Sequence, residues 1–312
     1  PSRGLGDVYK RQEEFPPHIK TVVTLGTFDG VHRGHKILLQ QLEAAKEGTG
    51  YQSVVLTFFP HPRMVLQQST DFKLLNTMGE KATLLEKSGV DNLIIHPFSL
   101  EFSRLTAEEF VKDILVDRLN IAKIIIGHDH RFGRNRTATT TDLENMGKEY
   151  GFEVQQISAY EVQETPVSST KVRNALAEGN IALANDYLGY PYFITGTVAH
   201  GKKLGRTIGF PTANIATESY KLIPANGVYT ASAEINGITV YGMLNIGMRP
   251  TVDGTSQTIE VHFFDFDADI YDTEIKLSLH TRLRDEQKFA SLDALKQQLA
   301  EDRKQSMAYF NL

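Results

Sequence analysis

The stretch Gly26-Thr27-Phe28-Asp29-Gly30-Val31-His32-Arg33-Gly34-His35 sets two histidines three residues apart across a glycine, inside a glycine-rich turn. It ends a β-branched run, Thr21 to Gly26, and opens a helix-length stretch, 34 to 46, with Ile37, Leu38, Leu42 and Ala45 on one side. Free main-chain amides at a helix N-terminus attract anions, and two imidazoles beside them suit a polyphosphate and the charge that develops on a reacting phosphorus. A surface loop with two unrelated histidines is the plain alternative; the position between strand and helix decides for the anion site. Further along, Val167-Ser168-Ser169-Thr170-Lys171-Val172-Arg173 places three hydroxyls ahead of a basic residue at the start of a late helix. Alone it reads as an N-cap with a solvated first turn. Beside the first motif, its Ser, Thr and Arg side chains are the donors that a departing pyrophosphate needs. Together the two describe nucleotidyl transfer.

Positioning these residues takes a sheet. From residue 21 short β-branched runs (52 to 58, 91 to 95, 121 to 126, 153 to 157) alternate with amphipathic helix patterns (34 to 46, 79 to 88, 106 to 119, 141 to 150), as βαβ units feeding a parallel sheet do. Thr106 and Glu109 make a capping box. Two short helices broken at Gly179-Asn180 span 169 to 188. The pattern predicts a doubly wound α/β domain over 13–187, with the histidine turn at its ligand edge. After Gly189-Tyr190-Pro191 the period changes to two. Runs at 192 to 199, 227 to 235, 238 to 246, 257 to 264 and 274 to 281 follow one another, with Asn236-Gly237 as a two-residue type I′ hairpin. An antiparallel barrel over 188–312 is expected, closed by a terminal helix that Ser291 caps and that carries Leu292, Leu295 and Leu299 inward.

Composition agrees with two domains. At ~150 residues per domain, 312 residues imply two cores, and 41% hydrophobic with 23% charged residues can fill them. The net charge of −5 is shared by both halves, so neither is a basic nucleic-acid module. The chain has no cysteine, which removes disulfides, thiolate nucleophiles and cysteine zinc sites, and which fits a reducing, cytoplasmic setting. No apolar run is long enough to span a membrane. Residues 1–12 show no strand or helix period and read as a disordered arm or as sequence foreign to the mature protein.

With these residues in view, the chain resembles the prokaryotic bifunctional riboflavin kinase/FMN adenylyltransferase (FAD synthetase) family from about residue 15 to 312. GTFDGVHRGH is similar to the family's HxGH nucleotidyltransferase motif, and VSSTKVR to its ISSTxxR element. The resemblance gives His32, His35 and Arg173 catalytic roles and gives Gly26, Phe28, Asp29, Ser168, Ser169 and Thr170 to the nucleotide. Phe58 and Pro60 in TFFPHP, and Asp129 in GHDHRFG, match segments lining the flavin side. In the second half GRTIGFPTAN, NIGMRPT and IEVHFFDF resemble the kinase PTAN motif, its NxGxRPT loop and its catalytic-glutamate strand. Thr212 and Asn214 are then magnesium ligands, Glu260 the base, Pro211 part of the nucleotide site, and Gly201, Lys203 and Gly209 part of a flexible loop over ADP. Arg284, with Glu286 and Phe289, matches a flap over riboflavin.

On alternation alone Glu260 is equally an outward strand residue. GTVAHGKK, Gly196 to Lys203, falls one residue short of a P-loop and lies in an all-β region, so it is not one. The acidic run Asp265, Asp267, Asp269, Asp272 reads as a solubilising loop. The resemblance implies riboflavin + ATP giving FMN + ADP in the second domain, and FMN + ATP giving FAD + pyrophosphate in the first. Small molecules are the expected partners, with neither nucleic acid nor membrane. One activity alone is the alternative within enzymes; a flavin sensor with decayed catalysis is the alternative from another class, and the presence of every phosphate ligand named above argues against the sensor.

Overall fold

The structure, a computed structural model, describes residues 9–10, 16, 18–67, 71–128, 131–158, 167–201, 204–251 and 254–312. Packing divides the chain into a unit of Pro1–Phe72 with Met78–Val167 and a unit of Lys73–Thr77 with Ser168–Leu312.

The first unit is built on a parallel sheet of β1 (Tyr9–Lys10), β2 (Thr21–Leu25), β3 (Gln52–Phe59), β4 (Asn92–Pro97), β5 (Ile121–Ile126) and β6 (Glu153–Gln156), in the order β1-β4-β3-β2-β5-β6. Strands buried on both faces read as unbroken apolar runs, and the alternate side chains of each run sort onto opposite faces. Val22, Val55, Leu93 and Ile125 pack with Leu39 and Leu42 of α1 (Arg33–Lys46). The short α2 (Pro62–Leu66) follows β3, and Ala82 and Leu85 of α3 (Met78–Glu86) join that same core. Val23, Val54, Ile94 and Ile124 face the other way, onto Phe110 of α4 (Ala107–Phe110), the π-helical turn Val111–Val116 that continues it, and Leu143 of α5 (Thr140–Tyr150). The expected capping box forms, with Glu109 Oε2 accepting from Thr106 N at 2.7 Å and Thr106 Oγ1 from Glu109 N at 3.1 Å. Chain direction across the sheet reverses at β2, with β3 on one side and β5 on the other. The loop after β2 therefore opens at a topological switch point, where such sheets bind ligands.

Most of the arm expected over residues 1–12 lies outside the described residues. At Tyr9 and Lys10 the chain is not free, since the two residues pair with Leu93 and Ile94 at the sheet edge.

The second unit holds α6 (Ser169–Ala177), α7 (Ile181–Leu188) and a closed barrel of β7 (Phe193–Ala199), β8 (Ala213–Ala216), β9 (Gly227–Ile235), β10 (Ile238–Thr251), β11 (Gly254–Phe263) and β12 (Glu274–Arg284), ordered β10-β11-β8-β7-β12-β9. Leu244, Ile246, Val261, Ala231, Leu277 and Ile194, all fully buried, fill it. Asn236 and Gly237 take φ of 53° and 77°, the paired left-handed geometry of a type I′ turn. The packing division falls at 167/168, not at the expected 187/188. The reason is polar: Asn185 of α7 donates to Leu279 O at 2.9 Å and accepts from Tyr192 N at 2.6 Å, while Ala225 N donates to Leu176 O at 2.9 Å.

Residues 73–77 form a strap in this unit. Leu74 exchanges main-chain bonds with Tyr220 and Leu222, and Leu75 O accepts from Lys221 Nζ at 2.7 Å and Tyr192 OH at 3.1 Å. Between β7 and β8, the loop expected to be flexible contains a helical turn, α8 (Leu204–Thr207). The terminal helix α9 (Leu292–Phe310) is capped by Ser291, whose Oγ accepts from Ala294 N at 3.2 Å. Leu299 and Met307 pack on Val228, Met243 and Phe264. Leu292, expected inward, is 55% exposed, because it occupies the first turn before the helix meets the barrel.

Candidate active sites

In the first unit the site is the turn from β2 into α1. His32 is the N-cap of α1, and its Nδ1 accepts the His35 main-chain N–H at 3.4 Å. The two rings stack at 3.7 Å with 15° between planes. Gly34 permits this stacking, since a Cβ there would press on the His32 ring. Burial pushes the His32 pKa down to about 4. Burial also pushes His35 well below the usual histidine value, with the His32 and Lys81 charges adding to the effect. Both rings are thus neutral at pH 7. His32 accepts through Nδ1, so its proton sits on Nε2, where it can donate. His35 Nδ1 is buried and has no hydrogen-bond partner among the described residues. Neutral imidazoles, one with an unspent buried nitrogen, stand at the N-terminal, positive end of α1: an arrangement suited to an anion. Phe28 and Asp29 are almost fully buried in the same turn.

Phe58, at the end of β3, meets Phe98 at 5.8 Å, Phe102 at 5.6 Å and His96 at 6.4 Å, an aromatic group at the ligand edge of the sheet. Pro60 follows it and is exposed. Asp129 lies outside the described residues, as does Lys203.

Ser168, Ser169, Thr170 and Arg173 belong to the second unit. Ser168 caps α6, its Oγ accepting from Lys171 N at 3.3 Å. Arg173 Nη1 donates to Lys73 O of the strap at 2.6 Å.

The second unit carries a cavity of about 400 Å³ against β10 and β11. Strand register builds it: Asn214 of β8 pairs with Glu260 of β11, and Glu260 pairs with Asn245 of β10, so the three side chains stand in a row on one face. Thr212 Oγ1 donates to Glu260 Oε2 at 3.3 Å. Two residues along, His262 donates through Nδ1 to Pro211 O at 2.8 Å, so β11 grips Pro211 and Thr212 at two points. Gly201 lies against the Asn214 amide so closely that any Cβ would collide with it. Gly209 has φ of 85° at the end of the same loop. Arg284 lines the cavity and is held by Asp302 of α9, with Nε 2.9 Å from Oδ1 and Nη2 2.7 Å from Oδ2. The Phe289 ring lies 5.7 Å from the Arg284 guanidinium.

Four residues of these sites escape a sequence reading. Asn245 and His262 sit inside recognised motifs but show their roles only through register. Asp302 is one acid on a helix rich in charge. Lys81 left a signal, because its position lies one turn before Leu85 on the apolar side of α3, where a lysine is out of place.

A histidine turn at a helix N-terminus in one unit, and a carboxylate among hard oxygen donors in the other, are arrangements suited to phosphoryl-group transfer at two sites. A family model described as FAD synthetase matches residues 15–171, and one described as riboflavin kinase matches 188–310. The bifunctional riboflavin kinase/FMN adenylyltransferase of Escherichia coli strain K12 is 40% identical over 299 residues, 95% of each chain. That of Bacillus subtilis strain 168 is 35% identical over 298 residues, 94% of this chain and 93% of its own. A crystal structure described as a macrolide-efflux protein from Streptococcus pneumoniae matches with a TM-score of 0.85 at 34% identity, over 95% of this chain and 97% of that one. Among the described residues no helix is long and apolar enough to cross a membrane. The chain belongs to the bifunctional riboflavin kinase/FMN adenylyltransferase family, with a FAD synthetase domain followed by a riboflavin kinase domain.

Proposed function

We propose that the two reactions are divided by the needs of their nucleophiles. In residues 188–312 the ribityl 5′-hydroxyl of riboflavin attacks the γ-phosphorus of ATP, forming FMN and releasing ADP. An alcohol is un-ionised at neutral pH, so a base in contact assists, and Glu260 takes the proton. The observation that carries this reading is the row Asn214–Glu260–Asn245, with Thr212 bonded to the same carboxylate. That donor set also fits magnesium, which takes few hard oxygen ligands beside phosphate oxygens and waters. Thr212 and Asn214 would hold it, the latter kept in place against Gly201. Magnesium supplies charge neutralisation on the phosphates. Pro211, the 201–209 loop with Lys203, and Arg284 are assigned to nucleotide and flavin around the cavity.

In the first unit a phosphate oxygen of FMN attacks the α-phosphorus of ATP, forming FAD and releasing pyrophosphate. A phosphate monoester, with a second pKa near ~6, is already ionised, so no base is needed. The site supplies position and charge stabilisation. His32, His35 and the turn residues Gly26, Phe28 and Asp29 take the nucleotide. Phe58, Pro60 and Asp129 take the flavin side. The FAD synthetase match reaches residue 171, which supports giving Ser168, Ser169 and Thr170, and with them Arg173, to the pyrophosphate. ATP use and cofactor synthesis suit the cytoplasmic setting expected from composition. Incubating the protein with riboflavin, ATP and magnesium and separating the flavins tests the reading: FMN and then FAD should appear, and absence of either product removes the corresponding activity.

A further inference from the structure

Lys81 is 2% exposed, an ammonium buried on α3 where the mechanism above gives it no part. Its Nζ donates to the Thr27 carbonyl at 2.7 Å, inside the histidine turn. Oγ1 of Thr57, a fully buried residue of β3, donates to the same carbonyl at 3.2 Å. A carbonyl and the N–H that follows it point in opposite directions across a trans peptide. Two donors that hold Thr27 C=O against α3 and β3 therefore turn the Phe28 N–H the other way. Phe28 and Val31 take φ of 43° and 35°, a region that side-chain-bearing residues rarely occupy and that persists only where neighbours over-determine it. Lys81 is such a neighbour. Its charge also faces Asp29 in the turn and weakens proton binding by His35.

We propose that Lys81 is a positioning residue for adenylyl transfer: with Thr57 it locks the Thr27–Phe28 peptide so that the strained turn holds His32 and His35 and aims the Phe28 N–H away from the sheet core. The proposal rests on the assignment of FAD formation to the histidine turn. Lys81 need not touch substrate, so the loss should fall on turnover and not on affinity.

The full-length protein is compared with Lys81→Met, Lys81→Arg, Thr57→Val and His35→Ala, measuring kcat and KM for FAD formation from FMN and, separately, riboflavin phosphorylation. Lys81→Met should lower kcat for FAD formation about 10- to 10²-fold, the scale of a misplaced reacting group. KM for FMN should stay within about threefold, a change too small to count as lost binding, and kinase activity should be unchanged. Lys81→Arg, which keeps charge and donor, should recover part of the loss. Thr57→Val should lower kcat in the same direction by less. FAD formation by Lys81→Met within about threefold of wild type overturns the proposal, and so does an equal loss of kinase activity. Should Lys81→Met fail to fold, Thr57→Val decides by the same criterion. A His35→Ala variant with full FAD formation overturns the histidine-site reading itself, whereas an impaired His35→Ala beside an unimpaired Lys81→Met removes only Lys81.

Discussion

A histidine kept neutral by burial is a liability in acid, and the first site has two. The folded pKa of His32 is lowered to about 4 from 6.5. Between those values the unfolded chain binds a proton that the folded chain refuses, so stability falls as pH falls from about 6.5 to 4 and is fully present above that window. For His32 alone the loss is on the order of 3 kcal/mol, and His35 shifts in the same direction. Urea midpoints taken across that range should therefore drop, and His32→Asn, which retains a capping oxygen, should flatten the drop; an unchanged slope would mean that the imidazole charges freely in the fold. At the same scale, His35→Ala should lower FAD formation by about 10²-fold or more, as expected for loss of a donor to developing charge. Riboflavin phosphorylation measured in that variant should be unaffected. The turn that carries the two histidines was legible as a strand-to-helix junction, because the β-branched run before it and the helical period after it carry that information. Lys81 was not, because which carbonyl a lysine reaches depends on how α3 lies on β3.

Strands were the most legible elements. The run IAKIII is apolar at every position but Lys123, and β5 spans the same six residues that the pattern marks. The Asn236-Gly237 hairpin was equally plain, since few other dipeptides accept two left-handed residues. The four-residue β8 was missed: it lies within PTANIA, too short for a period, and exists because Asn214 and Ala213 pair with Glu260 and Val261. The terminal helix was legible from its cap, but not what fastens it. Asp302, 1% exposed, holds Arg284 through a two-pronged ion pair. Removing one partner of such a pair leaves a buried charge, at a cost of about 3–5 kcal/mol. Asp302→Ala should lower the unfolding free energy from urea titration by that order and impair phosphorylation by freeing Arg284 at the cavity. Unaltered stability would show that the pair is replaceable by water.

At the scale of the whole molecule, the change of period at Gly189 announced two cores, and composition showed that the chain could fill them. What no local pattern could show is that packing takes residues 73–77 into the second unit. The strap joins it through Leu74 main-chain bonds and through Leu75 O, shared by Tyr192 and the buried Lys221. Such pairings depend on residues more than a hundred positions apart. A fragment of residues 168–312 should phosphorylate riboflavin, yet unfold at lower urea than the same unit in the full chain. It lacks the Leu75 carbonyl that accepts from the Lys221 ammonium, a loss of about 1–3 kcal/mol. Equal midpoints would mean that the strap contributes nothing.

The central claim is that two separate sites serve two nucleophiles, one needing a base and one not. Glu260→Gln tests it most directly, because the amide keeps the shape of the carboxylate and removes proton acceptance. Given riboflavin, the variant should phosphorylate it about 10²- to 10⁴-fold more slowly, the usual effect of losing a general base. Given FMN, it should make FAD at the wild-type rate. Phosphorylation within about threefold of wild type, or FAD formation from FMN that falls in step with it, would contradict the account.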